Sequence, residues 1–181
     1  MNPKQAAAEH GADLVKSGMV LGLGSGSTSA LMVQAVGRKL REGTLRDVIG
    51  VPSSSGIAAV ARESGVPLAT LEDHPTLDLN LDGADEVDPN LDLVKGLGGA
   101  LLWEKIVATA SRRVVILVDE TKLVPRLGAK APLPVEVVPF GWKSHLAFVE
   151  SLGGKPTLRT EINGRPFVTD EGNYILHCRF E

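Results

Sequence analysis

Four polar stretches carry the residue types that chemistry at a small-molecule site would need. "GLGSGSTS" (22–29) sets Ser25, Ser27, Thr28 and Ser29 among glycines, after an apolar run and ahead of a helical one. Its backbone amides and the positive end of the helix dipole would suit an anion, above all a phosphate; a tight turn capped by Ser25 or Ser27 would read the same way. Two nucleotide patterns fail there. Ser27 stands where the dinucleotide fingerprint needs glycine, no acidic residue closes "VIGVPSSS", and the Gly-Lys pair of a P-loop is missing. "DGADEVDP" (82–89) crowds Asp82, Asp85, Glu86 and Asp88. Like charges at this density raise some carboxyl pKa values and suit proton exchange with ligand hydroxyls. A solvated acidic loop or a divalent-cation site would look alike. "VKGLGGALLWEK" (94–105) joins Lys95 and the glycines 96, 98 and 99 to a helical run bearing Glu104. Glu104 lies off the stripe of Leu102, Trp103, Ile106 and Val107, the position of a surface glutamate. In "VDETK" (118–122) Asp119 or Thr121 could cap a helix, and Lys122, like Lys95, could be a solvated charge.

The elements that would hold these stretches alternate between short Val/Ile/Leu runs and helix-period segments, the mark of a mainly parallel sheet. The pattern predicts helices over 3–16, 27–40, 55–64, 99–111 and 142–152, and strands over 19–24, 48–51, 67–70, 77–81 and 114–118. Asn2 and Pro3 supply the first N-cap and first helical position. "LGAKAPLPVEVVPFGW" brings Pro132, Pro134 and Pro139, which resist placement in regular structure, and marks a boundary. The expected organisation is therefore α/β: a Rossmann-like, mainly parallel sheet domain over 1–128 and a small α+β domain over 129–181, with Asn163-Gly164 as a hairpin turn. In open α/β sheets ligands bind beyond the carboxyl ends of the strands, where residues 24–28, 53–55, 82–95 and 119–122 would converge.

Composition narrows the partners. Among 181 residues, 19 basic and 22 acidic side chains give a net charge of -3, and aromatic residues make only 4%, which disfavours nucleic acid and anionic membrane. No segment approaches the roughly 20 apolar residues of a membrane span, and the N-terminus has no signal-peptide core. A cytoplasmic protein is expected. The lone Cys178 cannot form an internal disulfide, and four scattered histidines show no ligand spacing, so no metal is expected.

Taken in order, "GLGSGSTS", "DGADEVDP", "KGLGGALLWEKI", "VDETKLV", "PLPVEVVPFGW" and "GRPFVTDEGNYIL" closely resemble the type A ribose-5-phosphate isomerases over essentially the whole chain. The resemblance implies a cofactor-free aldose–ketose isomerase of the non-oxidative pentose phosphate pathway, acting through an enediolate. It implies Glu104 as the base, Lys95 facing the oxyanion, and Asp82 and Asp85 on sugar hydroxyls, one of them helping to open the ring. Phosphate would rest on Ser25, Gly26, Ser27 and Thr28 with Lys4 and Lys122, and Gly83, Ala84, Gly96, Leu97 and Gly98 would also touch substrate. A small sugar phosphate is the implied partner, together with a homodimer or larger assembly. Three departures stand out. Ser25 replaces a threonine, Leu97 replaces a glycine of the family's "KGGGG" run, and "HCRFE" precedes an expected last helix and strands, so the second domain would be incomplete. The alternative is a sugar-phosphate-binding sensor without turnover; Glu104 and Lys95 argue against it, because binding alone needs no proton-transfer carboxylate.

Overall fold

The computed structural model describes residues 2–180. In chain order its elements are helix α1 (Pro3–Asp13), strand β1 (Val20–Leu23), helix α2 (Ser27–Arg41), strand β2 (Ile49–Pro52), helix α3 (Ser55–Ser64), strands β3 (Leu79–Asp82), β4 (Glu86–Val87) and β5 (Leu93–Val94), helix α4 (Leu101–Thr109), strands β6 (Val114–Ile116) and β7 (Leu133–Val137), helix α5 (Leu146–Ser151), and strands β8 (Gly154–Leu158) and β9 (Tyr174–Phe180). Contacts group them into two compact units. One holds the chain up to Ala84 together with Leu102–Thr121; the other holds Asp85–Leu101 and the chain from Lys122 onward. The proline-rich stretch lies inside the second of these, whereas a boundary at 128/129 follows composition alone.

In the first unit four parallel strands lie in the order β2-β1-β3-β6. Leu23 pairs with Pro52 on one side and Leu81 on the other, and Asp82 with Ile116, so the strands finish nearly level. Residues 24, 53, 83 and 117 therefore all start loops at the carboxyl edge. The core is made by Leu21, Leu23, Leu79 and Leu81 against Met32, Val33 and Val36 of α2 and Ile57 and Ala61 of α3. Each such leucine, removed from water, contributes about 1.5–3 kcal/mol.

The second unit contains the hairpin β4-β5 and an antiparallel sheet ordered β7-β9-β8. One face of β9 packs Leu176 and Cys178 on Val137 and Val149. Burial pushes the Cys178 thiol above its ordinary pKa.

The expected elements are present with local differences. Helix α1 stops at Asp13 with Leu14 as its C-cap, short of residue 16. The strand expected at 67–70 is reduced to one parallel bridge between Gly50 and Leu68. The helix expected from 142 opens with the 3-10 turn Trp142–His145 before α5 begins. Prolines did not forbid β7: Pro134 lies in it and Pro156 in β8, and both are edge strands, where a missing N–H costs no ladder bond. Asn163 and Gly164 do make a turn, with Gly164 at φ +80° and a bridge between Thr160 and Pro166. Among the described residues no helix is long and apolar enough to cross a membrane.

Candidate active site

At the carboxyl edge of the parallel sheet, α2 begins without a side-chain cap: its N-cap is Gly26, at φ +96° and ψ 178°, a conformation only glycine adopts readily. The neighbouring helix α3 is capped differently. The Ser54 hydroxyl accepts from the Ile57 amide at the start of α3, so that helix start is satisfied internally. Ser25 binds this neighbouring cap, its hydroxyl lying 2.9 Å from that of Ser53 and 2.7 Å from that of Ser54. Lys4 of α1 donates from Nζ to Ser27 Oγ at 3.3 Å, which puts a cation at the uncapped helix start. The structure thus brings Lys4, Ser25, Gly26, Ser27 and Thr28 together around a turn with the dipole and charge an anion would favour. Sequence reasoning did not single out Ser53 and Ser54 as individual partners of Ser25.

Asp82, the last residue of β3, is 1% exposed, and its Oδ1 accepts from the Gly83 amide at 2.7 Å. Its carboxylate lies so close to the backbone of Gly24 that a Cβ there would overlap it. Glycine at 24 is thus the space that lets a carboxylate sit at the strand end.

Glu104 is 6% exposed, whereas Leu102, Trp103 and Ile106 lie at the surface. The surface position that the helix pattern alone favoured is corrected: α4 buries Glu104 and Val107, and Ala100, just ahead of the helix, is buried too. Gly22 explains why. With no side chain on β1 at that point, Val107 comes close enough that a Cβ on Gly22 would lie 2.6 Å from it, and the helix buries the stripe one turn along from Glu104. The signal was present as the spacing 100, 104, 107, masked by the larger apolar residues of the other face.

In the second unit, Asp85 Oδ2 accepts from the Leu97 amide at 2.9 Å, and the Leu97 carbonyl accepts from Arg159 Nη1 at 2.9 Å. The Arg159 guanidinium stacks 3.6 Å from the centroid of the Phe167 ring. Burial lowers its pKa, with the charge of Glu161 opposing the shift. Leu97 itself has no left-handed backbone; positive φ values in this loop belong to Gly96 and Gly99, at +109° and +95°. A side chain at position 97 therefore needs no special backbone, and Leu fits where the family motif has glycine.

Glu86 is fully buried and accepts backbone N–H bonds from Gly128, Lys130 and Ala131 at 2.6, 2.5 and 2.7 Å. The expectation that crowding would raise carboxyl pKa values is corrected for this residue. Burial raises it, but the three amides and the Lys130 charge outweigh burial and hold the carboxyl below its ordinary range. With Asp82 and Glu86 both buried, the stretch is not a solvated acidic loop. Lys95 is half-buried next to Gly96, and Lys122 closes the 3-10 turn Glu120–Lys122, half-buried as well. Among the described residues no group of three His, Cys, Asp or Glu side chains could hold a metal ion.

These features define a mixed α/β protein with an anion-suited helix start and buried carboxylates at the carboxyl edge of its parallel strands. The family described as ribose 5-phosphate isomerase A (phosphoriboisomerase A) matches residues 49–181. Ribose-5-phosphate isomerase A of Roseiflexus castenholzii is 53% identical over 177 residues, covering 98% of this chain and 76% of that protein. Its counterpart in Chloroflexus aurantiacus is 52% identical over 173 residues, covering 96% and 72%. Among solved structures, a D-ribose-5-phosphate isomerase in complex with phospho-erythronic acid superposes with a TM-score of 0.96 at 41% identity, over 99% of this chain and 80% of that one. The ribose 5-phosphate isomerase A from Methanocaldococcus jannaschii gives 0.93 at 40% identity, over 98% and 79%. The chain belongs to the ribose 5-phosphate isomerase A family.

Proposed function

We propose that this chain interconverts D-ribose 5-phosphate and D-ribulose 5-phosphate through an enediolate, with Glu104 as the base that carries the proton between the two carbons. The observation that carries the reading is the burial of Glu104, at 6% exposure, on a helix whose larger apolar side chains face outward. Taking a carboxylate out of water is costly, so its burial at a helix position where leucine and tryptophan face outward supports a use for the group beyond packing.

In this reading Glu104 takes the proton from C2 of the aldose while the carbonyl oxygen O1 takes up negative charge; the C2 hydroxyl gives its proton to O1, and protonated Glu104 returns the first proton to C1, leaving O2 as the ketose carbonyl. Lys95 stabilises that oxyanion, an interaction stronger in the enediolate than in either sugar. Asp82 and Asp85 bind hydroxyls and one assists ring opening. The phosphate is held by the α2 start at Ser25, Gly26, Ser27 and Thr28, with Lys4 and Lys122 supplying charge, and Gly83, Ala84, Gly96, Leu97 and Gly98 complete the contacts. A carboxylate base with a cation for the oxyanion needs no metal or organic cofactor. The solved neighbour's ligand, phospho-erythronic acid, supports the substrate class, because its planar carboxylate imitates an enediolate. The free thiol of Cys178 fits a cytoplasmic setting. The assembly is a homodimer or larger, which light scattering would weigh.

The test is ribulose 5-phosphate formation by the purified chain and by Glu104→Gln, with solvent deuterium incorporation followed alongside. Removing the base should lower kcat by about 10²–10⁴ while sugar-phosphate affinity persists. A variant that keeps wild-type turnover would take Glu104 out of the reaction.

A further inference from the structure

Arg159 belongs to no stretch that the sequence marks for chemistry, yet it holds the backbone of the loop that carries Lys95. It follows β8 and forms, with Phe167, the base of a short hairpin in which the Phe167 amide donates to the Arg159 carbonyl at 3.0 Å and the Arg159 amide to Ile175 at 2.9 Å. Its backbone is thereby fixed to the central strand of the small sheet. Its side chain is held as well: the guanidinium carbon lies over the Phe167 ring, 3.6 Å from the centroid, and Nη1 donates to the Leu97 carbonyl. Stacking of this kind holds the planar fork in one orientation, which an ammonium on a flexible stem could not reproduce.

The same plate shapes the next turn of the loop. A Cβ on Gly99 would lie 2.6 Å from Phe167 and 3.0 Å from Arg159 Nη1, so the loop backbone runs directly against the stacked pair. Across Leu97 the hold is two-sided: the amide goes to Asp85 and the carbonyl to Arg159, at 2.9 Å each. With its N–H and its C=O both held, Leu97 leaves the two peptide units that flank it little freedom to rotate, and it lies two residues beyond Lys95. Glycines at 96, 98 and 99 would otherwise leave this segment loose.

We infer that Arg159, backed by Phe167, is a positioning residue for the isomerisation: it sets the loop of residues 95–99 by holding the Leu97 carbonyl opposite Asp85. The inference rests on the isomerase reading, in which Lys95 faces the oxyanion, and it assigns to Arg159 no contact with substrate. A loop displaced by about 1 Å can cost about 10²-fold in rate, since a charge aimed at a transition state works only at its intended distance.

Arg159→Ala should lower kcat about 10- to 100-fold with far less change in KM, and added guanidinium should restore part of the loss. Arg159→Lys, which keeps the charge but not the flat fork, should stay impaired. In the ligand-free protein both variants should speed amide hydrogen exchange across residues 96–99 while β9 keeps its protection. Exchange needs no substrate, so its result stands even if the wild-type chain fails to isomerise ribose 5-phosphate, a failure that would count against the functional reading instead. Should Arg159→Ala not fold, Phe167→Leu removes the stacking plate alone and should show the same local acceleration. Unaltered kcat together with unaltered exchange in these variants would overturn the role.

Discussion

The two glycine-rich loops of this chain look interchangeable as sequence and are built on opposite plans. Residues 24–28 lead into α2, whose start carries no side-chain cap and has Lys4 beside it. Residues 95–99 have the backbone of their central residue held on both sides, the N–H by Asp85 and the C=O by Arg159. The first loop ties its serine hydroxyls to Ser53, Ser54 and Lys4 and leaves its helix start without a side-chain cap; the second has the backbone of its central residue held by two side chains. Glycine serves different ends accordingly. Gly26 permits a turn, and Gly99 permits a close approach by Phe167. Under the proposed isomerase reading, the contrast divides the labour between an uncapped helix start for the phosphate and a fixed loop for the catalytic geometry.

The comparison breaks most severely at Glu86, which adjoins Asp85 and ties it to residues 128–131. Glu86→Gln would turn an amide group toward three N–H donors, at a cost of about 3 kcal/mol in chemical denaturation. The folded-state pKa of Glu86 is depressed, so its contribution is present above the unfolded value of about 4.3 and is lost as pH falls through the lower folded value. Wild type and variant should therefore converge in stability in strongly acid solution; a gap constant with pH would refute the account. Gly99→Ala comes next. The left-handed backbone costs a residue with a side chain about 1–2 kcal/mol, and Phe167 must also move, so Tm should fall by about 4 °C or more with kcat falling too. Milder still, Lys4→Ala removes one partly exposed charge from the first loop and should raise KM about fivefold, worth about 1 kcal/mol, with kcat unchanged. A fall in kcat instead would place Lys4 on the wrong side of the contrast. The smallest effect is expected at Leu97→Gly, because Leu97 already has an ordinary backbone: a loss of about 0.5–1 kcal/mol in stability and little change in turnover.

The parallel sheet was legible because its apolar runs stand out whatever surrounds them, most of all those of the inner strands β1 and β3, which are buried almost throughout. The candidate site was legible as motif, residue by residue, and less so as environment. The helix pattern by itself favoured the surface for Glu104, which the resemblance made the base, because Glu104 falls off the stripe of Leu102, Trp103, Ile106 and Val107; of that stripe only Val107 is buried, against Gly22. Strands β4 and β5 span two residues each, too few for any period to register. Arg159 had no signal at all: it reaches Leu97 across 62 positions, and nothing local to either residue announces the other.

Pro134 and Pro156 have a further consequence. They occupy the two outer strands of the β7-β9-β8 sheet, one on each side. A ladder grows into a neighbouring chain only where an edge offers an unbroken row of donors, and here each outer row has a gap that cannot be filled. The residues that made this region hard to read as a sheet also keep it from recruiting more of one, so a crowded solution of partly unfolded chains meets blunted edges rather than a template for fibril growth.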